Sequence, residues 1–277
     1  MRPNEGPASV DVPARVFSYD SGAGGQEFTR AIAVEAPVQI VLGGAPFAVM
    51  MATPQDLEDF AAGFVLTEQI AGSLADVRGI EVEAVADGWK LKISLTGERL
   101  QAHLARGRAM SGRTGCGMCG IEDFSQIPSP RPPLDPSVGI EPGAIRAAIG
   151  ELEAWQPLNR LTHAVHAAAW CGLDGRILLS REDVGRHNAL DKAIGALARA
   201  GVAPASGFFV ITSRCSFEMV AKAAIFGART LVSVSAPTSL ALERARRFGV
   251  RLIAVARGDE ALSFDSEKDE ASGGMAA

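Results

Sequence analysis

Two cysteines, Cys116 and Cys119, lie in one glycine-rich stretch with the spacing C-x-x-C. They are two of only four cysteines in 277 residues. Two thiols this close can share a redox, metal-binding or sulfur-handling role, because the thiolate is both the nucleophile and the metal ligand. The neighbouring glycines, Gly115, Gly117 and Gly120, let the backbone of a partner approach closely. This stretch is therefore the first candidate for the chemistry of the protein.

Three kinds of chemistry are compatible with this pair. A zinc site is disfavoured, because no second C-x-x-C or H-x-x-x-H stands at usable spacing. A thioredoxin-like pair should follow a strand and open a helix, whereas this pair precedes a proline-rich stretch. A sulfur-carrying loop fits best, since an exposed thiolate can accept a sulfur atom from a donor protein and deliver it to an acceptor. The charge of Arg113 would favour the thiolate.

A second pair, His163 and His166, lies three residues apart in an apolar, alanine-rich run that we expect to be helical. Histidines at this spacing can share a helix face and bind a metal. Zinc deaminases, however, have H-x-E followed later by P-C-x-x-C. Here Ala164 and Val165 follow the first histidine, and the C-x-x-C comes earlier in the chain. We therefore expect core histidines and no structural metal.

The other two cysteines give weaker indications. Cys171 ends the same apolar run, and we expect it to be a small buried residue of the core. Cys215 follows a predicted strand beside Arg214, where lining a site and packing in the core are both open interpretations.

The stretch from Arg181 to Lys192 holds eight charged or strongly polar residues in twelve. In one interpretation it is a solvated loop and a helix start, capped by Asp183 or Asn188. In the other it forms a pocket at the end of a strand, where Arg186 and His187 donate to a phosphate or pterin group. The sequence leaves both interpretations open.

Composition and pattern divide the chain into five segments. We expect a flexible leader at 1–29, an α+β part at 30–127, a proline-rich linker at 128–142, an α/β domain at 143–261 and a disordered tail at 262–277. In the α/β domain, strands and helices alternate, which indicates a mostly parallel sheet covered by helices.

The α+β part contains two predicted hairpins and a helix. Apolar runs at 38–42 and 46–51 flank a Gly-Gly turn, and residues 80–95 alternate around Asp-Gly. Between the hairpins, Thr53 is the predicted N-cap of a helix whose buried face recurs at helical spacing over 57–65.

The α/β domain contains four predicted strands and three helices. The strands are expected at 177–180, 208–212, 231–235 and 252–256, and the helices near 188–199, 217–226 and 238–248. Ligands of such sheets bind at the carboxyl ends of the strands. Polar turns follow three of those ends, at 181–188, 213–216 and 257–259.

Charge and hydropathy exclude several classes of function. The net charge of −5 disfavours general nucleic-acid binding, which needs many cations against phosphates. No apolar run reaches the roughly 20 residues of a membrane helix, and no apolar segment follows the N-terminus as in a secretory signal. We therefore expect a cytoplasmic protein that does not bind membranes.

Four stretches, at 51–60, 114–120, 181–195 and 235–241, together resemble the formate dehydrogenase accessory sulfurtransferase family (FdhD). The resemblance extends over residues 30–260, and the joint match is far more specific than the C-x-x-C alone. It implies an α/β fold in which a cytidine-deaminase-like three-layer domain, without the deaminase zinc residues, follows a smaller N-terminal α+β part.

The resemblance also implies a function. A cysteine desulfurase would hand persulfide sulfur to the loop. The protein would then sulfurate the molybdenum cofactor, in its bis(molybdopterin guanine dinucleotide) form, for formate dehydrogenase. By the same resemblance the protein is a homodimer. A cofactor-binding chaperone that transfers no sulfur is the alternative.

The site residues implied by the resemblance fall in two places. Cys116 matches the persulfide carrier, and Cys119 matches the second cysteine of the loop. The stretch that matches the cofactor-binding segment of the family comprises Val255, Ala256, Arg257, Gly258, Asp259 and Glu260.

Overall fold

A computed structural model of the chain describes residues 5–17, 19, 24–101, 130, 134 and 139–264. These residues form a two-stranded ribbon, a four-stranded sheet and a six-stranded sheet, with helices packed on the two larger sheets. This is a mixed α/β architecture, as the sequence predicts. None of the helices in these ranges is long and apolar enough to cross a membrane.

The N-terminal segment forms an antiparallel ribbon. Strand β1 (Ser9–Phe17) pairs with β2 (Gly24–Ala33) along most of its length. The flexible leader expected at 1–29 is therefore wrong for these residues. Proline, glycine, serine and alanine are frequent in residues 1–29, but Val10 and Val12 alternate with other residue types, which is the period of a strand.

The four-stranded sheet consists of β3 (Ala36–Leu42), β4 (Ala45–Ala52), β5 (Val77–Val85) and β6 (Gly88–Leu95), in the order β4-β3-β6-β5. Both predicted hairpins are confirmed, because β3 pairs antiparallel with β4, and β5 with β6. Both residues of the Gly-Gly turn between β3 and β4 have positive φ angles, which glycine adopts without steric cost. The sheet is mixed, since β3 and β6 are parallel.

Helix α1 (Leu57–Thr67) packs on this sheet. The predicted buried face is confirmed, since its residues are at most 3% exposed: Leu57, Phe60, Ala61, Phe64 and Val65. The predicted N-cap is wrong, because the helix starts at Leu57, after Asp56 in a left-handed conformation. The side-chain oxygen of Thr53 instead accepts a hydrogen bond from the Val184 amide, at 3.2 Å.

The six-stranded sheet consists of β7 (His166–Gly172), β8 (Ile177–Asp183), β9 (Gly207–Ile211), β10 (Thr230–Ser233), β11 (Arg251–Ala254) and β12 (Leu262–Ser263). Their order is β12-β11-β10-β9-β7-β8. The four strands predicted for the α/β domain are confirmed as β8 to β11. Strand β12 occupies the start of the segment that we expected to be a disordered tail, so that expectation is wrong there.

The expected mostly parallel sheet is wrong. Only the β9–β10 and β10–β11 pairings are parallel, whereas β7 is antiparallel to both of its neighbours and β12 is antiparallel to β11. Residues 173–176 alone join β7 to β8. A connection this short makes a hairpin, because parallel neighbours need a crossover of a dozen or more residues.

Helices cover both faces of the six-stranded sheet and give it three layers. Helices α2 (Pro142–Glu151) and α3 (Pro157–Thr162) precede β7, while α4 (Arg186–Arg199), α5 (Phe217–Phe226) and α6 (Ser239–Phe248) follow β8, β9 and β10. The three predicted helices are thus confirmed. In β9, Phe208 and Val210 join the core under α2, and Phe209 and Ile211 join the core under α4 to α6.

The alanine-rich run with the two histidines is a strand, so the expected helix is wrong. His163 ends α3 in a left-handed conformation, and His166 is the first residue of β7. The two side chains therefore do not share a helix face. Alanine favours helices, but a strand buried on both faces also has a continuous apolar sequence.

Helix α1 of the smaller sheet contacts helix α4 of the larger sheet through two glycines. A Cβ atom on Gly63 would lie 1.8 Å from the Asp191 carbonyl oxygen, and one on Gly195 would lie 1.8 Å from the Asp59 carbonyl oxygen. The two helix backbones therefore touch.

The linker predicted at 128–142 lies mostly outside the described residues, so the division of the chain stays a prediction.

Candidate functional site

One edge of the six-stranded sheet collects the polar turns that the sequence singled out. Strands β8, β9, β10 and β11 end there, β7 begins there, and α4, α5 and α6 start from it. Helix starts present unpaired backbone N–H groups and a partial positive charge, which favour anions. Four inter-strand spacings of about 4.8 Å place the ends of β8 and β11 roughly 19 Å apart. The edge is therefore long enough for an extended anionic ligand.

Asp183, at the end of β8, is the centre of a buried network. Its carboxylate lies 2.6 Å from the Lys192 ammonium, and both side chains are fully buried. The carboxylate also accepts hydrogen bonds from the Thr53 amide at 3.0 Å, the Gly185 amide at 2.8 Å and the Asn188 side chain at 3.0 Å. The interpretation of 181–192 as a solvated loop is therefore wrong at these positions.

The same network ties the 51–53 segment to helix α4. Lys192 donates to the Thr53 carbonyl at 2.9 Å, and Asn188 donates to the Met51 carbonyl at 2.8 Å. The expected capping of α4 by Asp183 or Asn188 is wrong, because the N-cap residue is Gly185 and no side chain caps the helix. These motif residues join the 51–53 segment to the end of β8 and the start of α4.

Arg186 and His187, in the first turn of α4, are partly exposed. The Nε2 atom of His187 lies 2.9 Å from a carboxylate oxygen of Glu218, in the first turn of α5. The Ser216 hydroxyl donates to the same carboxylate at 3.4 Å. The Nε atom of Arg186 is buried and has no hydrogen-bond partner within the described residues.

The pKa values of Glu218 and His166, both at this edge, are shifted from their ordinary values. Burial opposes ionisation of Glu218, but the hydrogen bond and charge of His187 outweigh it, with further help from Arg186, so the pKa of Glu218 lies below its ordinary value. Burial lowers the pKa of His166, and the charges of Arg186 and His187 lower it further. The edge between β8 and β9 therefore keeps an ionised carboxylate in positive surroundings.

The stretch Val255–Glu260 follows β11 at the same edge. Val255 has a φ angle of 53°, in the left-handed region that branched side chains avoid. Its amide donates to the Ser235 carbonyl at 3.2 Å, and the amide of buried Ala256 donates to the Ser233 carbonyl at 3.1 Å. Strained backbone of this kind costs free energy and is concentrated at functional sites.

The remainder of the stretch is an exposed turn. The Arg257 amide donates to the Glu260 carbonyl at 3.0 Å. All four residues from 257 to 260 are exposed. Asp259 lies 3.7 Å from Arg146, in an exposed ion pair. The structure therefore places residues 255–260 at the strand-end edge, and their binding role stays a prediction.

The cysteines separate into two kinds. Cys116 and Cys119 lie outside the described residues, so the zinc site considered for this pair is not tested by the structure. Cys171 and Cys215 are fully buried, and burial raises the pKa of each thiol to about 12. Packing in the core is thus confirmed for Cys171, and it is also the role of Cys215. Thiols with such pKa values are protonated at neutral pH and do not act as nucleophiles.

The described residues contain no group of three or more His, Cys, Asp or Glu side chains arranged to hold a metal ion.

Two charged residues of α5 were missed by the sequence reasoning. One is Glu218, the partner of His187. The other is Lys222, which donates to Asp191 at 2.9 Å, to Glu68 at 3.0 Å and to the Thr67 hydroxyl at 2.8 Å. The indication was present in the sequence, since each charge interrupts an otherwise apolar helix (Phe217–Phe226).

Comparison with known proteins identifies several to which this chain is similar. A sequence model of the FdhD/NarQ family matches residues 33–269. The sulfur carrier protein FdhD of Xanthomonas axonopodis pv. citri is 47% identical over 84% of this chain and 83% of its own. The sulfur carrier protein FdhD of Bordetella bronchiseptica is 45% identical over 84% of both chains.

A solved structure is similar over nearly the whole chain. It is a protein from Desulfotalea psychrophila that carries the name of a formate dehydrogenase accessory protein. It aligns with a TM-score of 0.71 at 25% identity, over 94% of this chain and 98% of its own.

Proposed function

The chain belongs to the FdhD/NarQ family, and we propose that it is a sulfurtransferase that carries persulfide sulfur from a cysteine desulfurase to the molybdenum cofactor. The observation that supports this most strongly is the identity of 45–47% to sulfur carrier proteins over 84% of the chain. In the proposal, the acceptor of the sulfurated cofactor is formate dehydrogenase, after which the solved relative is named.

The carrier is Cys116, with Cys119 as the second thiol of the loop. The burial of Cys171 and Cys215 supports this choice, because thiols with pKa values of about 12 supply almost no thiolate at neutral pH. In the loading step, the Cys116 thiolate attacks the outer sulfur of the donor persulfide. The bond between the two donor sulfurs breaks, the donor cysteine leaves as its thiolate, and Cys116 carries the persulfide.

The substrate that receives the sulfur is the bis(molybdopterin guanine dinucleotide) form of the cofactor. Its negative charges suit the strand-end edge, where three helix starts and Arg257 supply positive ends. The strained Val255 supports a binding role for Val255, Ala256, Arg257, Gly258, Asp259 and Glu260. A cytidine-deaminase-like fold, a homodimer and a cytoplasmic location complete the proposal.

The test is mass spectrometry of the protein after incubation with a cysteine desulfurase and cysteine, with alkylation to trap persulfides. We expect one added sulfur on the peptide that carries Cys116. The adduct should be lost in Cys116→Ala and kept in Cys171→Ala, a matched control that removes one buried thiol. An unmodified peptide, with a desulfurase shown to be active, would contradict the proposal and favour the cofactor-binding chaperone.

A further inference from the structure

Arginines gather at the edge of the six-stranded sheet opposite the strand-end edge, where β10 and β11 begin and α6 ends. Between residues 228 and 251 the chain has five arginines but only one acid, Glu243. The whole chain, in contrast, has a net charge of −5. The arginine cluster is therefore a local positive surface on an acidic protein, and four of these residues at that edge form it: Arg229, Arg246, Arg247 and Arg251.

The helix dipole explains only part of this cluster. Arg246 and Arg247 occupy the last turn of α6, where a cation interacts favourably with the dipole. Both are exposed, and neither forms an ion pair within the described part of the chain. Arg229 and Arg251 lie outside the helix, beside and at the starts of β10 and β11. Like charges gathered in this way repel one another, so an anion bound among them is favoured.

The C-terminal part of the chain leads to this cluster. Strand β12 runs antiparallel to β11, and the Phe264 amide donates to the Leu252 carbonyl at 3.3 Å. The chain therefore runs from the strand-end edge towards the starts of β10 and β11. One further residue in the same register, Asp265, would stand opposite Arg251. Opposite residues of antiparallel strands share one face of the sheet and lie close enough for an ion pair.

The residues after Phe264 carry the complementary charge. Residues 265–270 read Asp-Ser-Glu-Lys-Asp-Glu, which is four acids and one lysine, and no charged side chain follows them. An extended chain covers about 3.3–3.6 Å per residue, so Glu270 can reach about 20 Å from Phe264. Arg247 is four residues from Arg251 and hence at most about 14 Å from it. The acids can therefore reach the arginines of β11 and of α6.

We propose that segment 265–270 binds the arginine cluster of its own chain and thereby clasps β12 to β11. The ligand of the cluster is an acidic peptide, and the chain itself supplies it. Carboxylates pair with guanidinium groups through charge-assisted hydrogen bonds, and arginine presents a fork of donors that fits them. Several such pairs in a network stabilise the contact, although one exposed pair contributes little. The clasp also covers a positive surface, so that other anions are not drawn to this edge.

The test is hydrogen–deuterium exchange of the full chain at low salt, read by mass spectrometry on the peptide that spans 261–277. Bound backbone amides exchange more slowly, because they open to solvent less often. We expect Arg246→Gln/Arg247→Gln to raise the exchange rate of this peptide about threefold or more, the effect of losing two ion pairs of an exposed network. The matched control, Arg78→Gln/Arg160→Gln, removes two exposed arginines of β5 and α3 and should exchange like the wild type.

Salt and a charge swap test the chemistry of the clasp. At about 1 M NaCl, where the Debye length falls to about 3 Å, the exchange rates of the wild type and the arginine variant should converge. Arg246→Glu/Arg247→Glu should release the segment, and adding Asp269→Lys/Glu270→Lys to that variant should restore slow exchange. A swap that restores nothing would overturn the clasp. Unchanged exchange of the buried strand β9 shows that each variant is folded.

Two results would assign the cluster to another occupant. If the protection of 261–277 grew with protein concentration, the segment would bind a second copy, and the intramolecular clasp would be overturned. Equal exchange in the wild type, Arg246→Gln/Arg247→Gln and the control would show that the segment does not bind, and would leave the cluster open to an acidic partner protein. Sulfur loading of Cys116 is measured separately, so a failure of the clasp and a failure of the proposed function are distinguishable.

Discussion

Replacing Gly63 by alanine should destabilise the protein, although alanine favours helices. The change gains about 1 kcal/mol in helix propensity. The added Cβ atom, however, would lie 1.8 Å from the Asp191 carbonyl oxygen of α4, where real contacts stay above 3.0 Å. Helices α1 and α4 must therefore separate locally by about 1.2 Å. The obstacle is backbone, so no side-chain rotation relieves it.

The magnitude follows from the balance of two terms. Overpacking a tightly packed contact costs about 1–3 kcal/mol, and a backbone obstacle places this case at the upper end. Separation also stretches the ion pairs between the helices, including the one from Arg199 to Asp59 at 2.5 Å. After the propensity gain is subtracted, we expect a net loss of about 2 kcal/mol in the free energy of unfolding. Gly195→Ala should behave in the same way.

The assay is urea unfolding followed by circular dichroism, with midpoints and slopes compared among variants. The matched control is Gly150→Ala in α2, where an added Cβ meets nothing within 4 Å. This control should gain up to about 1 kcal/mol. If Gly63→Ala and Gly195→Ala gained stability as Gly150→Ala does, the direct backbone contact between α1 and α4 would be refuted.

Three other outcomes are expected. Lys222→Met should lower the free energy of unfolding by about 3–5 kcal/mol, because it leaves Asp191 buried without its cation. The double variant Lys222→Met/Asp191→Leu should recover part of this loss in the same urea assay. A clearly smaller loss of stability in Lys222→Met would contradict the argument. The stability supplied by Lys222 should also depend on pH. Burial opposes its charge, but Asp191 and Glu68 outweigh burial and raise the pKa of Lys222 above its ordinary value of 10.5. Its contribution is therefore complete below pH 10.5 and is lost as the pH rises through the folded-state pKa. As the pH rises above 10.5, the free energy of unfolding should fall more steeply in the wild type than in Lys222→Met. Parallel plots of this free energy against pH for the two proteins would refute the role of the Lys222 charge. Finally, iodoacetamide at pH 8 should leave Cys171 and Cys215 unlabelled until the protein is unfolded, as read by peptide mass spectrometry; labelling of either in the folded protein would contradict their burial.

The local sequence pattern predicted the elements that have turn residues or a helical spacing of apolar residues. The hairpin around Gly43 and Gly44, the buried face of α1 and the positions of α4 to α6 follow from turn chemistry and from helical spacing. Strand β7 was missed because its direction and burial depend on neighbours far away in sequence. Its run of alanines is equally compatible with a helix until β8 and β9 cover both edges.

The edge that carries the polar turns was predictable in position, but the burial of its residues was not. The ends of strands and the starts of helices place the three polar turns on one edge, which the strand–helix alternation indicates. The sequence did not tell which polar residues would be buried. Asp183 and Lys192 are as polar as Arg186 and His187, and only the contact with Thr53, 130 positions away from Asp183, separates the first pair from the second.

The burial of so many charges between α1 and α4 needs a reason, since desolvation opposes it. Asp59 is 3% exposed and binds Arg181 at 2.8 Å and Arg199 at 2.5 Å, while Lys192 and Lys222 hold the partners described above. Apolar residues would fill the same space without that cost, but they would tolerate several helix registers. Hydrogen-bonded charges satisfy one register only. They therefore fix the smaller sheet in one orientation to the strand-end edge. The proposed sulfur relay would need such a fixed orientation, because a carried persulfide would have to reach its acceptor repeatedly from the same side.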